Sequence, residues 1–471
     1  MPAHPAPRAD DLASVLATVR SAYLLGIGGV GMSGAARLLA ARGIEVRGSD
    51  ADPGGAAARL AGVPLEVTGE ATVLPDGVDL VVRSAAIGPG HPQRAAAEER
   101  GLRMWRYADL VGALMADRVG IAVAGCHGKT TTSSLVASAL AHAGTDPSWL
   151  VGGTLRAFGG GARAGAGPHF VVESCEFDRS FHAHRPHVAI VTNVDEDHLD
   201  YYADLAEIQE SFRVFAALLP SDGQLVVNDA HAAVFRGDAR LRAPLVTYGF
   251  GDDAAWRVGE PELTGDGRGV AFSLKGPDGR TTCATVPMLG RHNALNAAGA
   301  IATLVAAGVD RDAAEAGVAA FGGVGRRLEL VAERRGVLVY DDYGHHPAEI
   351  RAVVRALRQR HPQRPLRVLF QPHQASRTRC LMREFASVLA EADSVWMPPI
   401  YFSRDSEEAR RSVKSGDLVR HVRNEGGVAE EVESLDELVD FALERVAPGD
   451  VVITMGAGNI DEVARGLAAR L

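Results

Sequence analysis

The sequence has no excess of basic residues. Its 471 residues include 49 Lys and Arg against 59 Asp and Glu, which gives a formal net charge of -10 at pH 7. A protein that binds nucleic acid usually carries a basic face that neutralises phosphates. The charge balance therefore argues against a nucleic-acid partner, although local patches can still hold small anions.

The start of the chain lacks a long apolar run. The segment MPAHPAPRADDLA contains acidic residues ahead of the first apolar stretch, AYLLGIGGVG. A secretory signal needs a continuous apolar stretch after a basic start, and a membrane span needs about 20 apolar residues. We therefore predict a cytoplasmic protein without membrane insertion.

Paired cysteines are missing as well. The four cysteines, Cys126, Cys175, Cys283 and Cys380, lie far apart and form no CxxC pair. This spacing argues against a zinc knuckle and against a disulfide framework. We expect four reduced thiols.

Three stretches of the chain have the pattern of parallel α/β layers. Each opens with an apolar run, continues with a glycine-rich or polar loop and ends in a helical pattern. The length also suits about three domains. We predict an α/β fold with a Rossmann-like N-terminal domain (1–114), a central P-loop ATPase-like domain (115–330) and a C-terminal Rossmann-like domain (331–471).

The residues from about 223 to 287 have a different pattern. They contain the shorter alternating runs QLVVND, PLVTYGF, VAFSLKG and CATVPML, with turn residues between them. Such runs are typical of antiparallel strands. We predict an appended antiparallel piece or sheet edge without a catalytic role.

The first glycine-rich loop is GIGGVG, directly after the apolar run AYLL. Gly26, Gly28 and Gly31 satisfy the GxGxxG spacing, and Asp50 ends the next apolar run. Glycines at these positions let backbone amides approach a diphosphate, and the acid can accept a ribose hydroxyl. The pattern predicts a dinucleotide or nucleotide-diphosphate site rather than a plain tight turn, and it does not distinguish NAD from a UDP-sugar.

The second loop, GCHGKTTT, also lies between an apolar run and a helical pattern. A Walker loop has four residues between its first glycine and Gly-Lys-Thr, whereas two separate Gly125 from Gly128 here. The loop amides and Lys129 can hold phosphates, and the Thr130 hydroxyl can reach Mg²⁺. We predict a phosphate-binding loop rather than a surface Gly-Lys turn.

Acidic residues follow two further apolar runs, in VVESCEFD and VTNVDEDHLD. Glu173 ends the first run, and His198 follows the second after Asp195, Glu196 and Asp197. A divalent cation that bridges phosphates needs hard oxygen ligands from more than one strand end. Beside a phosphate loop these residues predict a metal site, whereas an isolated His198 would be a capping or surface residue.

The segment GRHNALNAAGA places His292, Asn293 and Asn296 at helical spacing. Side-chain amides can both donate to and accept from an adenine edge. We predict an adenine contact, with helix capping as the alternative.

The last third of the chain concentrates polar residues in loops after apolar runs, in GRRLE, DDYGHHP and FQPHQASRTR. Open α/β sheets bind ligands at such loops, and Arg and His can hold phosphate or carboxylate oxygens. The candidates are Asp342, Tyr343, His345, His346, His373, Arg377 and Arg379.

Five of these motifs, in this order, resemble the Mur ligase family of peptidoglycan synthesis over nearly the whole chain. They are GIGGVGMSG (26–34), HGKTTT (127–132), GRHNALNA (290–297), DDYGHHP (341–347) and FQPHQASRTR (370–379). The short phosphate loop is also a feature of this family, whose loop reads Gly-Thr-x-Gly-Lys-Thr.

The resemblance implies an ATP-dependent carboxylate-amine ligase. Its first domain would bind UDP-N-acetylmuramate, its second ATP and Mg²⁺, and its third would bring in L-alanine. The lactyl carboxylate would attack the γ-phosphate to give an acyl phosphate, which the alanine amine would then displace. A sibling activity, in which a tripeptide, glycine or serine is attached to the same sugar nucleotide, is the nearest alternative.

The resemblance also assigns roles to individual residues. It implies ATP contacts at Gly125, His127, Gly128, Lys129, Thr130, Thr131, Asn193, His292, Asn293, Asn296, Arg327 and Asp342. UDP-sugar contacts would come from Gly26, Gly28, Gly29, Val30, Gly31, Ser33, Asp50 and Ser84. Magnesium ligands would be Thr130, Glu173 and His198, with Glu176 as an additional candidate. Amino-acid contacts would come from Tyr343, His346 and Arg377, and catalysis would involve Lys129, His198, His346 and Arg377.

Three positions depart from the family pattern. Cys126 replaces the usual Thr of the phosphate loop, Cys175 replaces an Asp, and Gln374 replaces an Arg after FQPH. Because that Arg lies near the amino-acid pocket in relatives, Gln374 makes the choice of amino acid a specific question for this chain.

Two other classes of function fit parts of the sequence. A nicotinamide-dependent oxidoreductase would use GIGGVG and Asp50 but would leave the second loop unexplained. A nucleotide-switched interaction protein would bind ATP without ligation. For either a ligase or these alternatives, we expect a monomer or a weak homodimer.

Overall fold

A computed structural model describes residues 9–70, 73–196, 201–403 and 405–471. The described chain is α/β, and its strands form three separate sheets. The predicted α/β class is therefore confirmed.

The first sheet has the strand order β3-β2-β1-β4-β5, and all of its strand pairs are parallel. This is the order of a Rossmann-like sheet. The strands are β1 Ser21–Leu25, β2 Glu45–Ser49, β3 Glu66–Thr68, β4 Leu80–Arg83 and β5 Met104–Arg106, and the helices are α1 Ala9–Leu16, α2 Val30–Ala41, α3 Pro53–Arg59, α4 Pro92–Glu99 and α5 Tyr107–Met115.

The second sheet is larger and mixed. Its strands are β6 Val119–Ala124, β7 Ser148–Leu155, β8 Gly160–Arg163, β9 His169–Glu173, β10 Val188–Val191, β11 Gln224–Asn228, β12 Leu245–Gly249, β13 Trp256–Val258, β14 Glu262–Leu263, β15 Val270–Lys275 and β16 Thr281–Val286. The helices of this part are α6 Lys129–His142, α7 Leu205–Ala216, α8 Arg291–Ala306 and α9 Arg311–Ala319, with 3₁₀ segments at Phe177–Ala183 and Asp229–Val234. Starting from the edge formed by the β7–β8 hairpin, the strand order is β8-β7-β9-β6-β10-β11-β12-β13-β15. Strands β14 and β16 also pair with β15.

The prediction of an antiparallel piece at residues 223–287 is only partly correct. Strands β11 and β12 pair in parallel within the main sheet, and the antiparallel pairs begin with β13 and β15. Helix α7 crosses over between β10 and β11, and such a crossover lets consecutive strands run parallel. Short apolar runs do not reveal the direction of a strand, so the sequence pattern alone did not separate the two cases.

The third sheet has the order β17-β18-β22-β19-β20-β21, in which only β17 is antiparallel to its neighbour. Its strands are β17 Glu329–Arg334, β18 Val337–Asp342, β19 Leu366–Phe370, β20 Ser394–Met397, β21 Ala429–Glu431 and β22 Val451–Met455. Its helices are α10 Pro347–Arg360, α11 Ala375–Cys380, α12 Met382–Leu389, α13 Glu407–Ser412, α14 Ser415–Asn424, α15 Leu435–Arg445 and α16 Asp461–Arg470.

The three sheets are grouped into two compact units. The first unit comprises the chain up to Gly259 together with Ser273–Ala284 and Leu295–Gly322, and the second comprises Glu260–Phe272, Thr285–Ala294 and Gly323–Leu471. The first sheet and most of the second, from β6 to β13, lie in the same unit. One apolar core, which includes Leu38, Leu114, Leu150 and Phe181, runs through both. The exact domain boundaries at residues 114 and 330 stay a prediction.

Helix α5 joins the two sheets of the first unit at a point of very close approach. A Cβ atom added to Gly112 would lie 2.1 Å from the carbonyl oxygen of Ala183, in the 3₁₀ segment that follows β9. No side chain fits at that distance, and a backbone carbonyl cannot move aside as a flexible side chain does. Glycine is therefore required inside α5, where alanine would otherwise be the better helix former.

Of the helices in the described ranges, none combines the length and the apolar character that a bilayer span requires.

We predict that Gly112→Ala destabilises the first unit by about 1–3 kcal/mol, because overpacking outweighs the gain in helix propensity. The matched control is Gly54→Ala in α3, where the nearest atom to an added Cβ is 3.8 Å away. That substitution should stabilise by up to about 1 kcal/mol. Denaturant unfolding followed by circular dichroism measures both, and equal effects would contradict the close-contact argument.

Candidate functional site

The phosphate loop connects the buried strand β6 to α6 and has a backbone that only glycine tolerates at its two ends. Gly125 has φ +134° and Gly128 has φ +80°. An added Cβ would lie 2.0 Å from the Thr192 hydroxyl at Gly125 and 2.8 Å from the Asn296 amide oxygen at Gly128. Both glycines of GCHG are therefore required, because a side chain would clash at either position and because φ is positive at both.

The end of β10 fixes the middle of this loop. The His127 N–H donates to Asn193 Oδ1 at 2.8 Å, and Asn193 Nδ2 donates back to the His127 carbonyl at 2.9 Å. The Thr192 hydroxyl donates to the same carbonyl at 2.6 Å. The structure thus brings the predicted residues Asn193, Asn296 and His127 together around one loop.

Lys129 is the first residue of α6 and is paired with a buried carboxylate. Its Nζ lies 2.9 Å from Glu176 Oε2 and also donates to the carbonyls of Gly125 and Cys126. The Glu176 side chain is only 1% exposed. Burial is the largest single effect on the pKa of Lys129 and acts to lower it, but Glu176, Cys175 and Cys126 together outweigh burial and leave that pKa above its usual value. Lys129 is therefore a cation held at the loop at neutral pH.

Two of the predicted magnesium ligands lie together beside Lys129. The Thr130 hydroxyl donates to Glu173 Oε1 at 3.0 Å, and the other Glu173 oxygen accepts the Gly152 N–H at 2.7 Å. A hydroxyl and a carboxylate at this spacing are the hard oxygen ligands that Mg²⁺ prefers, so these residues fit the cation. The third predicted ligand, His198, lies outside the described residues. Among residues 9–70, 73–196, 201–403 and 405–471, no cluster of three His, Cys, Asp or Glu side chains is arranged for a metal.

The Cys126 side chain is buried against the segment that follows β10. It is 6% exposed, and its Sγ lies 3.2 Å from both the N–H and the carbonyl of Asp195. The thiol therefore tethers the acidic loop after β10 to the phosphate loop. Thr131 is also buried, in the first turn of α6.

A cavity of about 250 Å³ lies at the carboxyl edge of the first sheet. Four of the predicted UDP-sugar residues line it, namely Gly29, Val30, Gly31 and Ser84. The other four, Gly26, Gly28, Ser33 and Asp50, are not among its lining residues.

The remaining predicted residues of this region support the loop itself. The Asp50 carboxylate accepts the N–H groups of Gly28 and Asp52, at 2.8 and 3.1 Å. The Ser33 hydroxyl donates to the Val30 carbonyl in its own helix. In this structure Asp50 therefore fixes the turn of GIGGVG.

Four polar residues that line this cavity were not predicted from the sequence, namely Arg106, Tyr107, Asp178 and Ser180. Arg106 ends β5, so the rule that polar residues after parallel strands face ligands could have found it. Asp178 and Ser180 come from the segment after β9, and only the packing of the two sheets brings them to the first one. Asp178 and Arg179 both have φ above +50°, a conformation that is uncommon for residues other than glycine.

The start of α8 holds two more predicted residues. Asn293 Nδ2 donates to the Leu289 carbonyl at 2.7 Å, so this amide is bonded within its own segment. Burial lowers the pKa of His292 to about 4, which leaves its ring neutral at pH 7.

In the second unit, Asp342 is a buried carboxylate at the end of β18. It accepts the N–H groups of Leu328 and Gly344, at 2.8 and 2.7 Å. Burial raises its pKa to about 6, in opposition to the nearby Arg327 and these two donors. Arg327 also lies over the ring of Tyr343, with its guanidinium carbon 5.1 Å from the ring centroid.

Tyr343 and Arg377 are linked by a row of rings. Tyr343 contacts His345 and His345 contacts His373, with centroid distances of 5.6 and 5.9 Å. His373 Nδ1 lies 3.3 Å from the Arg377 guanidinium, and Tyr401 stacks on His373. The structure therefore brings Tyr343 and Arg377 to one region.

His346 has a structural role at the start of α10. It is the N-cap of α10, where its Nδ1 accepts the Ala348 N–H at 3.3 Å, and Glu349 completes a capping box. An Nδ1 that accepts a hydrogen bond leaves the proton of the neutral ring on Nε2. In this tautomer His346 is a donor at Nε2 and not a proton acceptor.

Gln374, the residue that departs from the family pattern, has a constrained backbone. Its φ is +68° although it is not glycine, its N–H donates to the Tyr401 carbonyl at 3.0 Å, and its own carbonyl accepts from Thr378. The residue is 8% exposed. A strained conformation held in this way is typical of functional loops.

Comparison with known proteins identifies the family. The chain matches three family models: the Mur ligase family catalytic domain at residues 21–119, the Mur ligase middle domain at 123–304 and the Mur ligase glutamate ligase domain at 326–458.

Its relatives include two enzymes named UDP-N-acetylmuramate–L-alanine ligase. The one from Nitratidesulfovibrio vulgaris (strain DP4) is 38% identical over 95% of this chain and 98% of its own length. The one from Thermobifida fusca (strain YX) is 40% identical over 94% of each.

Solved structures agree with this relationship. The UDP-N-acetylmuramate-alanine ligase MurC from Thermotoga maritima superposes with a TM-score of 0.79 at 25% identity and covers 96% of this chain and 98% of its own. The murein peptide ligase mpl from Psychrobacter arcticus 273-4 has a TM-score of 0.68 at 25% identity, with the same coverage of both chains. These matches set aside the nicotinamide-dependent oxidoreductase suggested by GIGGVG, and on them the chain belongs to the Mur ligase family.

Proposed function

We propose that the protein joins L-alanine to the lactyl carboxylate of UDP-N-acetylmuramate with hydrolysis of ATP to ADP and phosphate. Amide-bond formation driven by ATP follows from the family. The choice of substrates rests on the named function of relatives that align over nearly the whole chain. The structural observation that carries the proposal is the Lys129–Glu176 pair at a loop with Thr130 and Glu173 beside it.

Lys129 would act on the phosphates of ATP. An attacking carboxylate and a phosphoryl group are both anionic, so the reaction needs a cation that offsets the charge of the transferring group. Lys129 is charged and already contacts the Gly125 and Cys126 carbonyls of the loop. We propose that ATP replaces Glu176 as its partner.

Thr130 and Glu173 would hold Mg²⁺, with His198 and Glu176 as further candidates. The bound cation would neutralise charge on the phosphates of ATP. The spacing of the Thr130 and Glu173 oxygens supports this assignment.

We assign the other proposed substrate contacts from the place of each residue in the structure. Gly29, Val30, Gly31 and Ser84 would line the UDP-sugar site. Asn293, Asn296, Arg327 and Asp342 would contact ATP, and Tyr343 and Arg377 would contact the amino acid. His346 would contribute a hydrogen bond from Nε2, because its Nδ1 accepts the Ala348 N–H.

Several wider features belong to the same proposal. We propose domains at 1–114, 115–330 and 331–471 for the sugar nucleotide, for ATP and for the amino acid with part of ATP. We also propose a cytoplasmic location and a monomer or weak homodimer, without a nucleic-acid partner. A net charge of -10 supports the last point.

The substrates are tested by phosphate release from ATP with Mg²⁺ and UDP-N-acetylmuramate, to which L-alanine, glycine, L-serine or a tripeptide is added in turn. We expect release only when UDP-N-acetylmuramate and L-alanine are both present. Faster release with glycine or serine would connect Gln374 with a changed amino-acid choice. Release with the tripeptide alone would favour the sibling activity, and none with any acceptor would refute ligation.

We predict that Lys129→Ala lowers turnover by about 10²–10³-fold or more, the range found when one preorganised donor to a transition state is removed. The sequence alone suggests a small effect on folding, but the structure adds a stability cost. Glu176 would stay buried but lose its ion pair with Lys129, and breaking a buried pair typically costs about 3–5 kcal/mol.

The double variant Lys129→Ala/Glu176→Gln separates the two effects. It also removes the buried negative charge of Glu176, so it should recover most of the lost melting temperature but none of the activity. Initial rates and thermal unfolding of the three proteins measure this. Turnover close to wild type in the stable double variant would rule out the proposed role of Lys129.

We predict that the affinity for ADP depends on the ionisation of Asp342. The pKa of Asp342 is raised to about 6 in the free protein, so the carboxyl is mostly protonated below pH 6. It must then lose its proton before it can accept a hydrogen bond from a ribose hydroxyl. The affinity should therefore fall by about tenfold for each pH unit below 6. Calorimetric titration of wild type and Asp342→Asn at pH 5 and pH 7 isolates this effect, since the titration of ADP itself is common to both. The same pH dependence in both proteins would contradict the assignment.

A further inference from the structure

The turn at residues 326–328 has an unusual backbone for a segment that leads into an edge strand. Arg326 has φ +59° and Leu328 has φ +46°, and neither is glycine. Residues other than glycine keep such a conformation only where their surroundings hold it in place. The segment must therefore be fixed by specific contacts.

Backbone contacts tie this turn to the end of β18. The Tyr343 N–H donates to the Arg326 carbonyl at 2.7 Å, and the Leu328 N–H donates to Asp342 Oδ2 at 2.8 Å. The Arg326 N–H donates to Glu329 Oε2 at 2.9 Å. The turn and the end of β18 thus form one hydrogen-bonded substructure.

The Arg326 side chain extends this substructure to β22 and α16. Its Nε donates to Asp341 Oδ2 at 3.1 Å, and its two terminal nitrogens donate to the carbonyls of Gly458 and Gly456, at 2.9 and 2.7 Å. Nη1 also lies 3.3 Å from Asp461 Oδ1, at the first residue of α16. The fork of the guanidinium therefore joins three segments at the carboxyl edge of the third sheet.

The same guanidinium also contacts an aromatic ring. The Arg326 guanidinium carbon lies 5.0 Å from the Tyr343 ring centroid, and that of Arg327 lies 5.1 Å from it. Two adjacent arginines therefore both pack on Tyr343 at cation–π distance. Arg326 is engaged as well with Asp341 and the β22 loop.

We propose that Arg326 is a positioning residue for the ligase reaction. In this proposal Arg326 touches no substrate but fixes three residues that do. Arg327 is its neighbour in the chain, and Tyr343 donates its N–H to the Arg326 carbonyl. Asp342 accepts the Leu328 N–H of the same turn. This inference rests on the proposed function, in which those three residues contact ATP and the amino acid.

Lysine cannot replace Arg326 in this role. The three guanidinium nitrogens donate to three different acceptors, namely Asp341 and the carbonyls of Gly456 and Gly458. Among side chains, only a guanidinium has five donors in a fixed planar arrangement. A lysine keeps the charge but presents a single ammonium group, so it can satisfy Asp341 or the two glycine carbonyls but not all of them.

The third sheet also contains a matched control, Arg364, at its opposite edge. Arg364 donates to the carbonyls of Gly449, Gly336 and Asp450, at the chain segments that enter β18 and β22. It therefore clamps the same two strands by a similar set of carbonyl contacts, but at the amino edge. A purely structural effect should be common to Arg326→Lys and Arg364→Lys.

The kinetic test compares Arg326→Lys, Arg364→Lys and wild type. We expect kcat/KM for ATP and for L-alanine to fall by about tenfold or more in Arg326→Lys, which corresponds to about 1.4 kcal/mol. The KM for UDP-N-acetylmuramate should stay unchanged, since its proposed pocket lies on the first sheet. Arg364→Lys should lose similar melting temperature with little change in kcat/KM. Equal kinetic losses in both variants, or none in Arg326→Lys, would overturn the proposal.

Hydrogen exchange provides a readout that does not require ligase activity. In Arg326→Lys, amide exchange should accelerate in peptides that cover 326–329, 342–345 and 456–461, whereas Arg364→Lys should accelerate 336–338 and 449–451. If wild type shows no ligation, the proposed function fails while this comparison still tests positioning.

Should Arg326→Lys fail to fold, Asp461→Asn removes one contact of the Arg326 guanidinium and should accelerate exchange at 456–461 to a smaller extent. Unchanged exchange there would refute the clamp.

Discussion

The close approach of the phosphate loop to the end of β10 is the constraint on which the candidate site depends. Gly125 lies so near Thr192 that an added Cβ would be 2.0 Å from its hydroxyl, and Asn193 bonds both the N–H and the carbonyl of His127. These contacts determine the path of the chain before it enters α6. The position of Lys129, and with it that of Glu176, follows from that path.

The sequence was sufficient for the class of fold and for the location of two glycine-rich loops between a strand and a helix. Glycine spacing after apolar runs located GIGGVG and GCHGKT, since both patterns depend on local backbone geometry. The capping role of His346 was also available, because HHPAE places Pro at the first helical position and Glu at the third. The contact of His346 with the amino acid stays a prediction.

Features that depend on distant packing could not be predicted in this way. Asp178 reaches the cavity of the first sheet only because α5 packs on the segment after β9. The pairing of Lys129 with Glu176 joins residues 47 positions apart and changes the expected cost of removing the lysine. The parallel direction of β11 depends on the crossover through α7, which the short apolar runs do not encode.

The core shared by the first two sheets has a consequence for how this protein can be divided. Leu38, Leu114, Leu150 and Phe181 belong to one cluster that extends across both sheets. A fragment that begins after residue 114 would expose the apolar side of this cluster to water, at roughly 25 cal/mol for each Å² uncovered. The part with GIGGVG and the part with the phosphate loop therefore share one apolar core, and neither can be excised or exchanged without redesign of the surface between them.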